Sequence, residues 1–191
     1  MNQQTKIAFL RADGSKTIGM GHLKRACVLA DMLQRGLQLT PILITKEDRL
    51  AEAFIHQHHM KTEWLPSSLG LKEEMEALSQ MIKNYQPAVA FVDILNEDVN
   101  PSYMKVFKEN GALSVAITDD SCKREILADI VVNGNPYQSA VWYKGENTRY
   151  LCGTPYFLMD SAYATTKAPE PRGSVRKILL TLGGSDHGDI L

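Results

Sequence analysis

The segment ADGSKTIGMGHLKRACVLADML, residues 12–33, decides how the whole sequence is interpreted. A strand-like apolar run precedes it, and its second half has the apolar spacing of an amphipathic helix. A strand, a loop and a helix in this order are typical of the first unit of an α/β fold. The loop contains three glycines: Gly14, Gly19 and Gly21. They either hold a phosphate group or leave room for the side chain of His22 to reach a substrate.

The same alternation continues along the chain. Seven short apolar runs are predicted as strands: KIAFLRAD, TPILITK, AVAFVDIL, ALSVAIT, DIVVNG, RYLCG and KILLTLGG. Four amphipathic segments are predicted as helices: HLKRACVLADMLQRG (with Gly36 as its C-terminal cap), EDRLAEAFIHQHH, LKEEMEALSQMIKNY and PSYMKVFKENG. Most strands are nearly continuous in apolar character, as strands covered on both faces should be. We therefore predict a Rossmann-like, doubly wound α/β fold with a mainly parallel sheet.

A change of composition marks an expected domain boundary. Residues 164–177, ATTKAPEPRGSVRK, combine two prolines, a glycine and mixed charges, which predicts an exposed linker. Residues 178–191 resemble the first strand and glycine loop of a second unit. We expect residues 1–163 to form an N-terminal domain and residues 178–191 to begin a C-terminal domain that is otherwise missing. The surface exposed by such a truncation would favour a homodimer.

The charge and cysteine content exclude several classes of protein. Lys and Arg total 21 and Asp and Glu total 22, which gives a formal net charge of −1. This balance argues against nucleic-acid binding and against a polybasic membrane anchor. The apolar runs are too short for a transmembrane helix, and the N-terminus lacks the regions of a signal peptide. The odd number of cysteines without a CxxC pair indicates free thiols, and we expect a cytoplasmic location: Cys27, Cys122 and Cys152.

The histidine run HQHH at 56–59 is the first place to look for a metal site. Only His56 and His59 share a helix face, and no carboxylate or thiol pair lies nearby in the sequence. A solvated helix end explains the run better, so we predict no metal site.

The glycine loop fails both common phosphate-binding patterns. The dinucleotide pattern GxGxxG begins at Gly19 and Gly21 but has Lys24 in place of its third glycine. A Walker loop beginning at Gly14 would need Lys at position 20, where Met20 stands. A nicotinamide dehydrogenase is therefore a distant alternative.

His22 lies at the start of the first predicted helix, at the carboxyl edge of the sheet, where open α/β folds bind ligands. The positive end of the helix dipole favours neutral imidazole, which is the form a general base requires. Gly19 and Gly21 would let a bulky substrate approach the backbone. The alternative is that His22 only begins the helix and the glycines only form the turn.

The segment 11–33 resembles the opening of the UDP-sugar hydrolases of pseudaminic acid biosynthesis and of related spore-coat polysaccharide proteins. That family has an Arg-x-Asp, a Gly-x-Gly-His and an Arg three residues after the His. Six residues match in order and spacing: Arg11, Asp13, Gly19, Gly21, His22 and Arg25. Weaker matches follow in the expected order: FVDI at 91–94, ITDD at 117–120, ADIVVN at 128–133, LCGTPYFLM at 151–159 and LGGSD at 182–186.

The chain departs from that family at two places. Ile94 and Leu95 follow Asp93 where the family has a His or a Tyr, and Asp160 and Tyr163 stand where it has an Arg and a Phe. These departures bear on which sugar would be bound.

The resemblance implies the N-terminal half of a two-domain glycosyltransferase B-type fold, with the active site between the domains and most of the UDP held by the C-terminal domain. The implied reaction is hydrolysis of a UDP-sugar without metal or cofactor. Water, deprotonated by His22, would attack the anomeric carbon and release UDP and a free 6-deoxy diacetamido sugar with inversion.

The resemblance and the positions of the acidic residues also suggest substrate contacts, at Arg11, Asp13, Gly19, Gly21, Arg25, Asp93 and Asp120. Asp13 is expected to support the imidazole, and Arg25 either to face the pyrophosphate or to pair with Asp31 or another carboxylate. Asp93 is equally compatible with a solvated loop. Capping of a following helix explains Asp119 better than a ligand contact, and explains Asp120 equally well.

Two other functions fit the sequence. A glycosyltransferase of the same fold would pass the sugar to an acceptor hydroxyl in place of water. A sugar-binding module would keep the loop without the chemistry. Acceptor dependence distinguishes the first from a hydrolase, and absence of turnover distinguishes the second.

Overall fold

The computed structural model of the chain describes residues 6–95, 101–119, 126–140, 147–167, 170, 173–174 and 177–180. Its centre is a seven-stranded sheet in which every neighbouring pair of strands is parallel. The strands are β1 (Ile7–Ala12), β2 (Thr40–Lys46), β3 (Thr62–Leu65), β4 (Val89–Asp93), β5 (Leu113–Ile117), β6 (Ile130–Asn133) and β7 (Arg149–Cys152). Their order across the sheet is β3-β2-β1-β4-β5-β6-β7.

Helices cover both faces of this sheet. They are α1 (Gly21–Leu37), α2 (Arg49–His58), α3 (Leu71–Tyr85) and α4 (Pro101–Glu109), and a short, exposed helix α5 (Ala162–Thr165) follows β7. Apolar residues of α1 and α2 form one core with the even-numbered positions of β1, whereas α3 and α4 pack on the opposite face with Phe9. Among the described residues, no helix is both long enough and apolar enough to cross a membrane.

The predicted α/β fold is confirmed, with four of its predicted helices and six of its predicted strands. The edge strand β3 escaped prediction because its sequence, TEWL, has only one fully buried residue, Leu65, and no apolar run. Gly36 is not a cap, because α1 continues to Leu37 and Gln38 adopts the left-handed conformation with φ 54°. The described part of the last predicted strand, 177–180, is not in a strand, and its apolar side chains are exposed.

The predicted domain boundary is only partly covered by the described residues. The helix α5 overlaps the start of the predicted linker 164–177. Most of the segment 178–191, including the LGGSD loop, lies outside the described residues.

The order of the strands creates one crevice at the carboxyl edge of the sheet. The chain moves from β1 to β2 and β3 on one side, and from β4 to β7 on the other. The helices after β1 and β4 therefore diverge, and the gap between these strands is where doubly wound folds bind ligands. His22 follows β1 and Asp93 ends β4, so the strand order brings both to this gap.

Close packing between the loop and α1 predicts the effect of one substitution. A Cβ atom on Gly14 would lie 2.4 Å from Cδ1 of Leu23, whose side chain is fully buried. We expect Gly14→Ala to lower the free energy of unfolding by about 1–3 kcal/mol in urea titrations. Gly36→Ala is the matched control: a Cβ there meets nothing within 4 Å, and alanine should stabilise α1 by about 0.5–1 kcal/mol. Equal effects of the two substitutions would contradict this packing.

Candidate active site

The crevice between β1 and β4 contains a histidine paired with a buried carboxylate. Nδ1 of His22 lies 2.7 Å from Oδ1 of Asp93, and the two side chains are 15% and 6% exposed. His22 is the second residue of α1 and Asp93 is the last residue of β4, so the contact joins the two sides of the crevice. The arrangement fixes one ring nitrogen and leaves Nε2 as the nitrogen that a ligand would meet.

Arg25, one turn further along α1, holds the same carboxylate. Its Nε donates to Oδ2 of Asp93 and its Nη2 donates to Oδ1, both at 2.7 Å. Its Nη1 donates to Oδ2 of Asp119 at 2.5 Å. Burial alone would lower the pKa of Arg25, but the two carboxylates overcome that effect and raise it. The guanidinium is therefore a permanent positive charge beside the histidine.

These contacts favour one tautomer of His22. Oδ1 of Asp93 lies 2.7 Å from Nδ1, and a lone pair on Nδ1 would repel the carboxylate at that distance. We therefore place the proton of the neutral ring on Nδ1, where it is donated to Asp93, and the lone pair on Nε2. Nη2 of Arg25, 3.0 Å from Nδ1, is then a second donor converging on the same oxygen. Nε2 is thus prepared to accept a proton.

Four backbone amides of the glycine loop, those of Ser15, Thr17, Ile18 and Gly19, are bonded within the loop. Oγ of Ser15 accepts from the amides of Thr17 and Ile18, both at 3.2 Å, and the backbones of Ser15 and Gly19 bond to each other. Those amides are not available to cradle a phosphate. Gly19 is required for its φ of 75°, whereas a Cβ on Gly21 would face open space beside His22. The geometry favours the second explanation of the loop, in which it leaves room around the histidine.

A second charged cluster lies beneath this site. Arg11 is 1% exposed, and its guanidinium donates to Asp13 at 2.5 and 2.7 Å and to Glu74 at 2.9 and 2.8 Å. The hydroxyl of Tyr103 donates to Oε1 of Glu74 at 2.6 Å. Nζ of Lys46 lies 3.1 Å from Oε2 of the same carboxylate. Because Arg11 is enclosed by these partners, its side chain does not face the crevice, and it is placed to support the site rather than to touch a ligand.

The two carboxylates of this cluster are held in their charged form. Burial alone would raise the pKa of Asp13, but the charge and hydrogen bonds of Arg11 lower it below its ordinary value. The pKa of Glu74 is lowered in the same way, since Arg11, Tyr103 and Lys46 outweigh the effect of burial. The cluster is therefore an ionic network at neutral pH.

Asp13 does not contact His22 as the sequence suggested. Its Oδ1 accepts from the backbone amide of Lys46 at 2.8 Å, which ties the end of β1 to the end of β2. The carboxylate that contacts the imidazole of His22 is that of Asp93, and not that of Asp13. The prediction for Arg25 had two forms, and the observed one is a pair with carboxylates, whereas Asp31 pairs with Arg35 at 2.7 Å.

No known protein-family model matches the chain, but individual proteins do. It is 29% identical to the spore coat polysaccharide biosynthesis protein SpsG of Bacillus subtilis over 183 residues, which cover 94% of this chain and 51% of that protein. It is 26% identical to the uncharacterized protein MJ1062 of Methanocaldococcus jannaschii over 193 residues, 97% of this chain and 38% of that protein. The chain thus spans about half, or less, of the curated relatives that it matches.

A solved structure extends the comparison to the fold. MurG of Acinetobacter baumannii superposes with a TM-score of 0.55 and 9% identity, covering 76% of this chain and 44% of that one. At this identity the likeness shows the fold alone. The chain is related to polysaccharide biosynthesis proteins.

The other predicted site residues have mixed outcomes. Asp120 lies outside the described residues. His56, on α2, and His59, which follows the helix, are exposed with ring centres 6.4 Å apart, and no group of three or more metal-ligating side chains occurs in the described part of the chain. Burial raises the pKa of the Cys27 thiol to about 11, so this cysteine is protonated and weakly reactive at neutral pH.

A cleft of about 830 Å³ begins beside Arg25 and follows the outer face of α1. Leu158, Met159 and Tyr163, which follow β7, form an apolar wall of this cleft. Arg25 connects this cleft to the histidine, since its Nη2 lies 3.0 Å from Nδ1 of His22.

Sequence reasoning did not select Glu74, Tyr103, Lys46 or Asp119. For Glu74 a signal existed: it shares one helix face with Leu78 and Ile82, and a carboxylate in line with buried apolar residues indicates a buried partner. Asp119 was assigned to helix capping because its partner, Arg25, is 94 residues away.

The buried network predicts how stability depends on pH. Since the pKa values of Asp13 and Glu74 are lowered in the folded state, their contribution is complete above about pH 4.5 and is lost as the pH falls through the folded values. We expect Glu74→Gln to lower the free energy of unfolding by about 3–5 kcal/mol at pH 7 and to flatten its decline in acid. Urea titrations from pH 7 to pH 3 measure both effects.

The control for this prediction lies two residues away on the same helix. Glu76 is 69% exposed and lies 4.0 Å from Lys72. Glu76→Gln should change the free energy of unfolding by less than about 0.5 kcal/mol. An equally small change for Glu74→Gln would mean that the network does not stabilise the fold.

Proposed function

We propose that this chain forms the sugar-binding half of a nucleotide-sugar enzyme in polysaccharide biosynthesis, and that His22 is its general base. The observation that carries the proposal is the contact between His22 and the buried carboxylate of Asp93. A neutral imidazole oriented by a carboxylate is an arrangement that recurs in enzymes that activate a hydroxyl group or water. The relation to SpsG supplies the biosynthetic context.

In the proposed reaction, Nε2 of His22 accepts a proton from the O–H group of the nucleophile. The oxygen of that group attacks the anomeric carbon of a UDP-sugar. The bond between that carbon and the phosphate oxygen breaks, and UDP leaves with the electron pair. Asp93 stabilises the imidazolium that forms, and the proton later passes to solvent. Because attack occurs opposite the leaving group, the sugar configuration inverts.

Water is the nucleophile in our preferred form of the reaction, which makes the protein a UDP-sugar hydrolase. Its support is the resemblance of residues 11–33 to the hydrolases of pseudaminic acid biosynthesis. The second form is a glycosyltransferase that deprotonates an acceptor hydroxyl. The MurG-like fold is compatible with it, and the open cleft beside Arg25 offers space for an acceptor. The same histidine would serve either nucleophile.

The proposal assigns different duties to the predicted binding residues. Gly19 and Gly21 leave room for the sugar, and Asp93 and Arg25 act through the histidine. Arg11 and Asp13 hold the ends of β1 and β2 in place. UDP would be held mainly by a second domain, as the resemblance implies.

Removal of the base tests the assignment of His22. In the full-length gene product, we expect His22→Asn to lower kcat by about 10²–10⁴-fold and Asp93→Asn by about 10²-fold, because each removes part of the oriented base. UDP release is measured by a coupled assay, and circular dichroism checks the fold. His56→Asn, at an exposed position on α2, is the control and should retain full activity. A fully active His22→Asn protein would refute the role.

Phosphorus NMR distinguishes the two nucleophiles. UDP-linked diacetamido-trideoxy sugars are incubated in ¹⁸O-water with and without sugar acceptors. We expect UDP to appear without an acceptor and without ¹⁸O in its phosphates, because the bond that breaks is on the carbon side. UDP that appears only with an acceptor would establish the transferase. No UDP in either case, with ligand binding unchanged in His22→Ala, would favour a sugar-binding module.

A further inference from the structure

This inference rests on the proposed function, since it concerns how the base is held. We propose that Asp119 is a positioning residue. It anchors Arg25 from the side opposite Asp93, which keeps the Asp93–His22 contact aligned and gives the site one negative charge in excess.

The guanidinium of Arg25 is held along two edges. The edge formed by Nε and Nη2 binds both oxygens of Asp93, and Nη1 binds Asp119. Without Asp119, the plane of Arg25 would be fixed by one carboxylate only. Nη2 shares Oδ1 of Asp93 with the ring of His22, so rotation of the guanidinium would disturb the oxygen that orients the base.

Asp119 is better fixed than its exposure suggests. Its side chain is 55% exposed, yet its backbone oxygen accepts from Nδ2 of Asn135 at 2.9 Å. The backbone amide of Asn135 in turn donates to the side chain of Asn133 at 3.1 Å, at the end of β6. The contacts therefore form a continuous series from β6 to the histidine.

The charges give Asp119 a second effect. Among the described residues, the charged groups in contact with His22 are Asp93 from β4 and Arg25 from its own helix. Asp93 and Arg25 neutralise each other, so this pair alone offers little to an imidazolium. Asp119 adds one negative charge to the group, and an imidazolium formed during the reaction is then next to a net anion.

The test uses side-chain NMR and kinetics on the full-length gene product. In the wild type, the Nε–H signal of Arg25 and the Nδ1–H signal of His22 should be sharp and slow to exchange. In Asp119→Ala we expect both signals to broaden, and kcat to fall about ten-fold with KM within about two-fold. Asp119→Glu, which restores the carboxylate, should recover part of the rate.

The control is an exposed ion pair on α3, away from the site. Glu76 is 69% exposed and lies 4.0 Å from Lys72. Glu76→Ala should leave both signals and kcat unchanged. A general effect of losing a surface ion pair would appear in both variants.

The outcomes separate this inference from the proposed function. Unchanged signals in Asp119→Ala would overturn the positioning role, and broadened signals with an unchanged kcat would overturn its use in the reaction. If the wild type turns over no UDP-sugar, the proposed function fails. The two NMR signals then decide on their own whether Asp119 holds Arg25 and His22.

Discussion

A positive charge buried in the interior strand β1 is the constraint on which the carboxyl edge of this protein depends. Arg11 is almost completely enclosed, and a guanidinium in that position is tolerated only when its donors are paired. Its partners come from α3, from α4 and from the end of β1 itself: Glu74, Tyr103 and Asp13. Elements distant in sequence are thereby brought to a common point, and the end of the strand that precedes the glycine loop becomes rigid.

Side chains alternate between the two faces of the sheet along β1, and this alternation separates the ionic network of Arg11 from the site around His22. Arg11 faces α3 and α4, whereas its neighbours Leu10 and Ala12 face α1. The ionic network thus lies on one side of the sheet, and the helix that carries His22 lies on the other. Asp13, at the end of the strand, links the network to the loop that leads to that helix. The apolar side chains of β1 thus pack beneath α1 on one face of the sheet, and the ionic network of Arg11 lies on the opposite face.

The fold could be predicted almost completely, because every strand and helix except β3 and the short α5 follows a local apolar pattern and parallel sheets have few topologies. His22 could be predicted for the same reason, since a histidine after a glycine loop is a local pattern in the sequence. Its partner was not: Asp93 was selected as a substrate contact, and only the register of β4 beside β1 shows that it faces the histidine. Glu74 and Asp119 depend likewise on contacts between elements 63 and 94 residues apart. Ion pairs between distant elements leave no periodic pattern in the sequence, so they could not be predicted from it.

The position of His22 and Arg25 near the start of α1, about one turn apart, has a consequence for how the protein responds to heat. Both side chains reach Asp93 only while the first turn of α1 is seated, and Met20 provides no side-chain cap to hold that turn. Fraying of one turn costs far less than opening the sheet. On heating, the contacts of His22 and Arg25 with Asp93 should therefore be lost at a temperature below that at which the strands separate, so that an intact far-ultraviolet spectrum does not show that this cluster is intact.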